Sequence, residues 1–164
     1  MRKIGFALAL GAGLMSGAAL AEDAAETPEV KLYIISPEDG ASLDSPVRVV
    51  FGLRGMGIAP AGVEKENTGH HHLLIDTDPP EGEALTESLP ADEHHVHFGG
   101  GQTETEIELA PGEHTLQLLL ADHNHVPHDP PILSEQITIT VKDPDATVGD
   151  AVDKVLDKAK GVFK

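Results

Sequence analysis

The stretch Gly69-His70-His71-His72-Leu73-Leu74-Ile75-Asp76 organises the chain, because it joins three consecutive histidines to an apolar run. It is predicted to be a β-strand, in which successive side chains point to opposite faces. One face then holds His71 with two aliphatic side chains and is predicted to be the core side. The other face is predicted to carry His70 and His72 outward, side by side.

Two further histidine groups lie downstream, within residues 94–97 and 123–128, and with the first group they contain nine of the ten histidines. Imidazole is the commonest protein metal ligand near neutral pH, and three or four donors complete a transition-metal site. We predict that the three groups meet in the fold and bind a metal ion. The predicted ligands are His70, His72, His97, His125 and His128.

The spacing within the groups supports convergence on one ion. Side chains at positions i and i+2 of a strand lie on the same face, about 7 Å apart along it. His70/His72, His95/His97 and His123/His125 have this spacing, whereas His128 needs the turn that Pro127 can supply. Asp76 or Asp122 is a candidate to orient a ring nitrogen. The alternative is a solvated, histidine-rich surface that becomes charged as the pH falls.

Apolar alternation and turn residues predict an all-β fold. Strands are predicted at residues 30–35, 46–53, 70–76, 102–109, 114–122 and 132–141. Residues 77–101, rich in proline and glycine, are predicted to be a long irregular segment that delivers the second histidine group. The pattern is typical of an immunoglobulin-like antiparallel β-sandwich over residues 30–142. His114 follows a Pro-Gly turn and is predicted to be structural.

Both ends of the chain are predicted to lie outside this domain. Residues 1–21 have a positive start, an apolar run and a small-residue cleavage site at Ala21, which is typical of a signal peptide. Residues 22–29 are predicted to be a disordered leader. Residues 143–164 are predicted to be a linker and an amphipathic C-terminal helix. The mature chain is therefore expected in the periplasm or secreted.

The composition limits which partners and which metal ions are expected. Removal of residues 1–21 leaves 143 residues with 9 basic and 28 acidic side chains, a net charge of −19. Such a surface repels phosphate backbones, so no DNA or other nucleic acid is expected as a partner. The chain has no cysteine, and Met56 is the one methionine beyond the predicted cleavage site. Imidazole and carboxylate donors remain, which suit Zn(II), Cu(II) or Ni(II), and copper or zinc is the predicted ion.

The longer motifs resemble a bacterial domain family of unknown function found in exported proteins. The resemblance covers about Val47 to Val141. It rests on Gly69–Asp76, on His97-Phe98-Gly99-Gly100-Gly101-Gln102-Thr103-Glu104, and on the Pro111–Leu118 stretch that continues through His128 to Pro131. It implies no activity. The histidines that belong to its pattern are His70, His71, His72, His97, His114, His125 and His128, with His94, His95 and His123 as extras.

A shorter resemblance involves His95-Val96-His97, which is similar to the copper-ligand strand of copper-zinc superoxide dismutases. This chain lacks the cysteine pair of that family, so the similarity is interpreted as convergence.

Three functions follow as hypotheses. The first is an exported transition-metal-binding protein that holds copper or zinc for storage, delivery or tolerance. The second is a metal-dependent enzyme, either dismutase-like or hydrolytic, which is less favoured because no catalytic carboxylate pair or nucleophile motif stands out. The third is an immunoglobulin-like interaction module that binds an envelope protein partner and has pH-responsive histidines. The oligomeric state is left open.

Overall fold

The computed structural model describes residues 29–146, which contain ten β-strands and one 3-10 helix at Gly82–Thr86. In chain order the strands are β1 (Lys31–Ser36), β2 (Ser42–Leu43), β3 (Val47–Arg54), β4 (Gly57–Ile58), β5 (Thr68–Ile75), β6 (His95–His97), β7 (Glu104–Ile107), β8 (Gly112–Ala121), β9 (Pro127–Leu133) and β10 (Ile137–Val141). No helix within this range is long and apolar enough to cross a membrane. The predicted signal peptide, the leader up to residue 28 and the predicted C-terminal helix lie outside the described residues.

The strands form two sheets, which confirms the predicted all-β sandwich. The smaller sheet has the antiparallel order β1-β3-β7. The larger has seven strands in the order β2-β10-β8-β5-β4, with β6 also paired to β5 and β9 to β8. Two short pairs, β2 with β10 and β4 with β5, are parallel, so the predicted antiparallel arrangement holds for the longer pairs.

Alternate side chains of the two sheets form the main core. Val49 and Phe51 of β3 pack against Leu116, Leu118 and Leu120 of β8, all of them buried. This period of two is what a strand with one inward face requires. The core therefore lies between the sheets, and β5 adds Leu73 and Ile75 to it.

The opposite face of the larger sheet is also covered. A second apolar cluster lies there, formed by Leu74, Leu89, Leu119 and Ala121 with Leu133 packed beside it. Leu89 comes from the long segment between β5 and β6, so this segment covers the sheet as a third layer. Strand β5 is thereby buried on both faces, from Gly69 to Ile75.

The prediction that His70 and His72 point outward is therefore wrong. Their side chains are 0% and 1% exposed. Alternation did assign them correctly to the face opposite His71, but it could not show that residues from other parts of the chain cover this face.

Some predicted boundaries also differ. The predicted strand 102–109 is reduced to β7, and the predicted strand 132–141 is split into β9 and β10 by residues 134–136. The Ser134 hydroxyl accepts the backbone N–H of Leu118 at 2.8 Å, which holds the connection against β8. The predicted irregular segment 77–101 contains the 3-10 helix and β6.

Candidate metal centre

The three histidine groups meet at one end of the larger sheet. Strand β5 places His70 and His72 on one face, and β6 pairs His97 directly opposite His72. Directly opposed residues of an antiparallel pair have Cβ atoms about 4.5–5.5 Å apart, so this register brings His97 against the rings of β5. On the other side of β5, Ala121 at the end of β8 pairs with His70. The turn that follows Ala121 carries His125.

The rings of His70, His72, His97 and His125, here called the four-histidine cluster, are in mutual contact. Their centroids lie 4.6–6.0 Å apart. Two Nε2–Nε2 distances are 3.1 Å, one between His70 and His72 and one between His97 and His125. One ring nitrogen from each of His70, His72 and His97 lies within 4.8 Å of the others, so these residues could hold a metal ion.

These distances suit a tetrahedral ion. Zinc–nitrogen bonds of about 2.0–2.1 Å place neighbouring ligand nitrogens about 3.3–3.4 Å apart. The observed 3.1 Å separations differ from this by a few tenths of an ångström. They also suit a hydrogen bond between two neutral imidazoles, in which one ring donates and the other accepts. Within each of the two ring pairs, the nitrogens therefore lie within a few tenths of an ångström of the spacing of two ligands of one ion.

Electrostatics favour the neutral form of these rings. Burial, then repulsion from charged His97 and His125, lowers the pKa of His70 to about 4. Burial, then repulsion from His70, His97 and His125, lowers the pKa of His72 to about 3. Burial, and to a smaller extent charge repulsion from His125, also lowers the pKa of His97. These three rings are thus unprotonated at neutral pH, which is the form that binds metal.

Several ring nitrogens in and near the cluster have no protein partner. Within residues 29–146, the buried side-chain nitrogens without a hydrogen bond are His70 Nδ1, His71 Nε2, His72 Nδ1 and His128 Nε2. A buried polar atom without a partner costs roughly 1–3 kcal/mol, so native structures contain few of them. Within residues 29–146, all four of these atoms are histidine nitrogens, in or near the four-histidine cluster.

The position of the His97 ring depends on Gly99, which lies two residues further along the chain and directly beside the ring. A Cβ atom on Gly99 would lie 2.6 Å from His97 Nε2, so the ring occupies the space that any larger residue would need. The spacing of the histidines did not indicate this role of Gly99. The run Gly99-Gly100-Gly101, which follows His97 after Phe98, was the available signal.

His125 is held by a tight turn. It has a positive φ of 68°, an uncommon backbone conformation for residues other than glycine. The Asp122 carboxylate accepts the backbone N–H groups of Asn124 at 2.8 Å and Val126 at 2.9 Å. The carbonyl of His125 accepts the N–H of Leu89 at 2.9 Å, which ties the turn to the covering segment. Asp122 was one of two candidates to orient a ring nitrogen. In the structure, its carboxylate hydrogen-bonds the backbone of this turn.

His71 and His128 lie apart from the cluster. His71 points into the main core, where its ring is 5.0 Å from that of Phe51 and its Nδ1–H donates to the Gln102 carbonyl at 3.2 Å. His128, a predicted ligand, makes none of the ring contacts within the cluster. Its Nε2 instead lies against the backbone of Gly69, where an added Cβ would be 2.8 Å away.

The remaining histidines have structural partners. The rings of His94 and His95 donate to the Ile75 carbonyl and the Asp92 carboxylate, each at 2.8 Å. His114 bridges the Asp76 carboxylate at 2.7 Å and the Ala110 carbonyl at 2.8 Å, in keeping with its predicted structural role. Asp76 therefore holds His114 and not a ring of the cluster. His123 contacts the side chain of Asn124.

Comparison with known proteins identifies a family whose function is unknown. The model of a family described as a domain of unknown function, DUF4399, matches residues 49–142, which are more than half of the chain. This agrees with the predicted resemblance to a family of unknown function over about residues 47–141. No curated protein and no solved structure gives a significant match.

Proposed function

Because this chain belongs to the DUF4399 family, whose function is unknown, we propose a function from its site: it binds one copper(II) or zinc(II) ion through the four-histidine cluster. The observation that carries this proposal is the convergence of His70, His72, His97 and His125 from three separate segments. Two nitrogen pairs at 3.1 Å, and one ring nitrogen from each of His70, His72 and His97 within 4.8 Å of the others, support the four imidazoles as the donor set for such an ion. His128, which lies outside the cluster, is not among the proposed ligands.

The biological role that we propose is storage, delivery or tolerance of the metal in the periplasm or outside the cell. The signal-peptide pattern of residues 1–21 supports the location. The excess of acidic residues supports the role, because a negative surface raises the local concentration of cations.

The donor set favours a carrier over an enzyme. Catalytic zinc sites keep a coordination position open for water or substrate, whereas four imidazoles fill a tetrahedral site. Within residues 29–146, the hydrogen bonds of the ring nitrogens of the cluster join these rings to one another, as in a site whose donors all serve one ion. Burial of His70 and His72 argues against the alternative of a solvated, pH-responsive histidine surface.

The test is a calorimetric titration of the purified, untagged chain with Cu(II) and Zn(II) after metal removal. We expect one ion per chain. The double variant His70→Gln/His72→Gln should lose more than about 100-fold in affinity, because loss of two donors exceeds the 10–100-fold effect of removing a supporting residue.

The matched control is His94→Gln/His123→Gln, which also removes two histidines but leaves the cluster intact. Its affinity and stoichiometry should equal those of the unmodified chain. Equal losses in both variants would show that binding follows the number of histidines and not the cluster, and the proposal would fail.

A further inference from the structure

A cavity of about 260 Å³ adjoins the four-histidine cluster. It lies between the segment of residues 59–69 and the end of the sheet where β8 turns into β9. Its wall includes His70 from the cluster, together with Asp122, His123 and His128. The other three members of the cluster do not line this cavity, so His70 is the point of contact between the cavity and the cluster.

His70 is fully buried, and its Nδ1 has no hydrogen-bond partner among the described residues. His128, on the same wall, also has a buried nitrogen without a partner, Nε2. The carboxylate of Asp122 is close enough to act electrostatically on both rings. Two imidazoles with buried, unpartnered nitrogens and one carboxylate therefore belong to the lining of this cavity.

The outer wall of the cavity is acidic. It carries Glu64 and Glu66, both exposed, against one positive side chain, Lys65. A cleft lined by charges of one sign concentrates counter-ions and raises their association rate. With Asp122, this wall favours cations.

The same segment covers the cluster from its other side. The N–H of Ala61 donates to the Gly99 carbonyl, and the N–H of Gly62 donates to the His123 carbonyl, each at 2.9 Å. These bonds fix residues 61 and 62 between the segment that carries His97 and the turn that carries His125. Residues 59–69 thus pack against both of these segments, and the acidic cavity that they line adjoins the cluster at His70.

We propose that this cavity is the access route by which a divalent cation reaches the four-histidine cluster, with His128 as a transient ligand on the way. The inference rests on the proposed function and adds the path and the residues that control the rate. His128 then acts in metal capture, without belonging to the final ligand set.

The first test measures the rate of Zn(II) binding by stopped-flow competition with a chromophoric chelator. The variant Glu64→Gln/Glu66→Gln should load about 3–10-fold more slowly at low ionic strength, with the difference vanishing at high salt, because two charges of the route are removed. The amount of zinc bound at equilibrium should not change.

The matched control is Glu106→Gln/Glu108→Gln, which removes the same charge from exposed positions on and just after β7, in the other sheet. Its loading rate should stay within about twofold of that of the unmodified chain, since its charges are remote from the route. Equal rates for both double variants would overturn the access route. Absence of zinc binding by the unmodified chain would instead refute the proposed function.

The second test is His128→Gln in the same assay. Slower loading with full stoichiometry supports the transient role. An unchanged loading rate, or a loss of bound zinc at equilibrium, would overturn it, the latter by making His128 a permanent ligand.

Discussion

Three adjacent residues of one type have different environments in this protein. His70 and His72 belong to the four-histidine cluster, whereas His71 lies in the main core against Phe51. Strand alternation alone was enough to separate them. Their burial was not predictable, because it depends on Leu89 and on the turn around His125, which are distant in sequence. For these residues, strand alternation determines which face of the sheet each side chain is on, and the rest of the fold determines how exposed that side chain is.

Gly99 offers a test of how tightly His97 is positioned. The variant Gly99→Ala should push the His97 ring away, since the new Cβ would lie 2.6 Å from Nε2. We expect metal affinity to fall by about 10–100-fold, comparable to the loss of a residue that orients a ligand. Competition titration with a chelator of known affinity measures this loss.

Gly100→Ala is the control for that substitution. Its added Cβ would meet the end of the Gln102 side chain at 3.1 Å, and this flexible group can move away. Affinity should be retained. A similar loss in both variants would mean that the glycine run, and not the space beside His97, is what matters.

The pair of His114 and Asp76 predicts a pH dependence of stability. Burial lowers the pKa of His114, but hydrogen bonds to Asp76 and to the Ala110 carbonyl outweigh it and raise the pKa. Burial likewise raises the pKa of Asp76, and hydrogen bonds from His114 and Thr115 outweigh it and lower the pKa. The His114 contribution is complete below its unfolded pKa of about 6.5 and is lost as the pH rises through the folded value. The Asp76 contribution is complete above about 3.9 and is lost at lower pH.

The free energy that His114→Gln removes should therefore be largest near pH 5–6 and smaller near pH 9. Urea unfolding of both proteins at these pH values measures the difference. His123→Gln is the matched control, because the His123 ring lies 4.0 Å from the Asp122 carboxylate without a hydrogen bond to it, and it should remove less free energy at pH 5–6 than His114→Gln does. A destabilisation by His114→Gln that is equal at both pH values would refute the ionic contribution.

Among the connections between strands, the turn between β8 and β9 supplies His125 to the site. Asp122 holds it through two backbone N–H groups, and this holds His125 at its positive φ. Loss of the carboxylate in Asp122→Ala should weaken metal binding by about 10–100-fold. Asp122→Asn keeps an oxygen that can accept both bonds and should retain most of the affinity in the same titration. Equal losses would assign the effect to the charge of Asp122 and not to the turn.

The elements also show where sequence patterns reach their limit. The long strands β3, β5 and β8 were predicted close to their observed positions, because β3 alternates clearly and β5 and β8 contain continuous apolar runs. Strand β6 was missed, since its three residues lie in a segment rich in proline and glycine and are ordered by pairing with β5. His97 was predicted to lie near His70 and His72 because all three residues are histidines. Its exact position opposite His72 comes from the pairing of β6 with β5, which the sequence pattern did not indicate.

At the level of the whole molecule, the all-β sandwich was predictable from turn spacing and alternation, and the third layer was not. That layer consists of irregular chain, and its contribution rests on scattered contacts such as Leu89 with Leu119. Its placement brings the turn, the covering segment and the sheet together at the cluster.

Metal binding should therefore stabilise the whole domain. A ligand that binds only the folded state adds about 2.7 kcal/mol when its free concentration is about 100 times its Kd. We expect zinc to raise the midpoint of thermal unfolding, and a chelator to reverse the rise. His70→Gln/His72→Gln should show no rise, and a rise of the same size in that variant would place the stabilising ion elsewhere.

The spread of the cluster along the chain, from His70 to His125, affects when a metal can first be held. A nascent or partly unfolded polypeptide has these four rings on segments that have not yet come together. The first turn able to supply His125 exists only after β8 has been added beside β5. At the proposed site, an ion could be held by all four rings only after β5, β6 and β8 have paired, so full coordination would report a completed sheet.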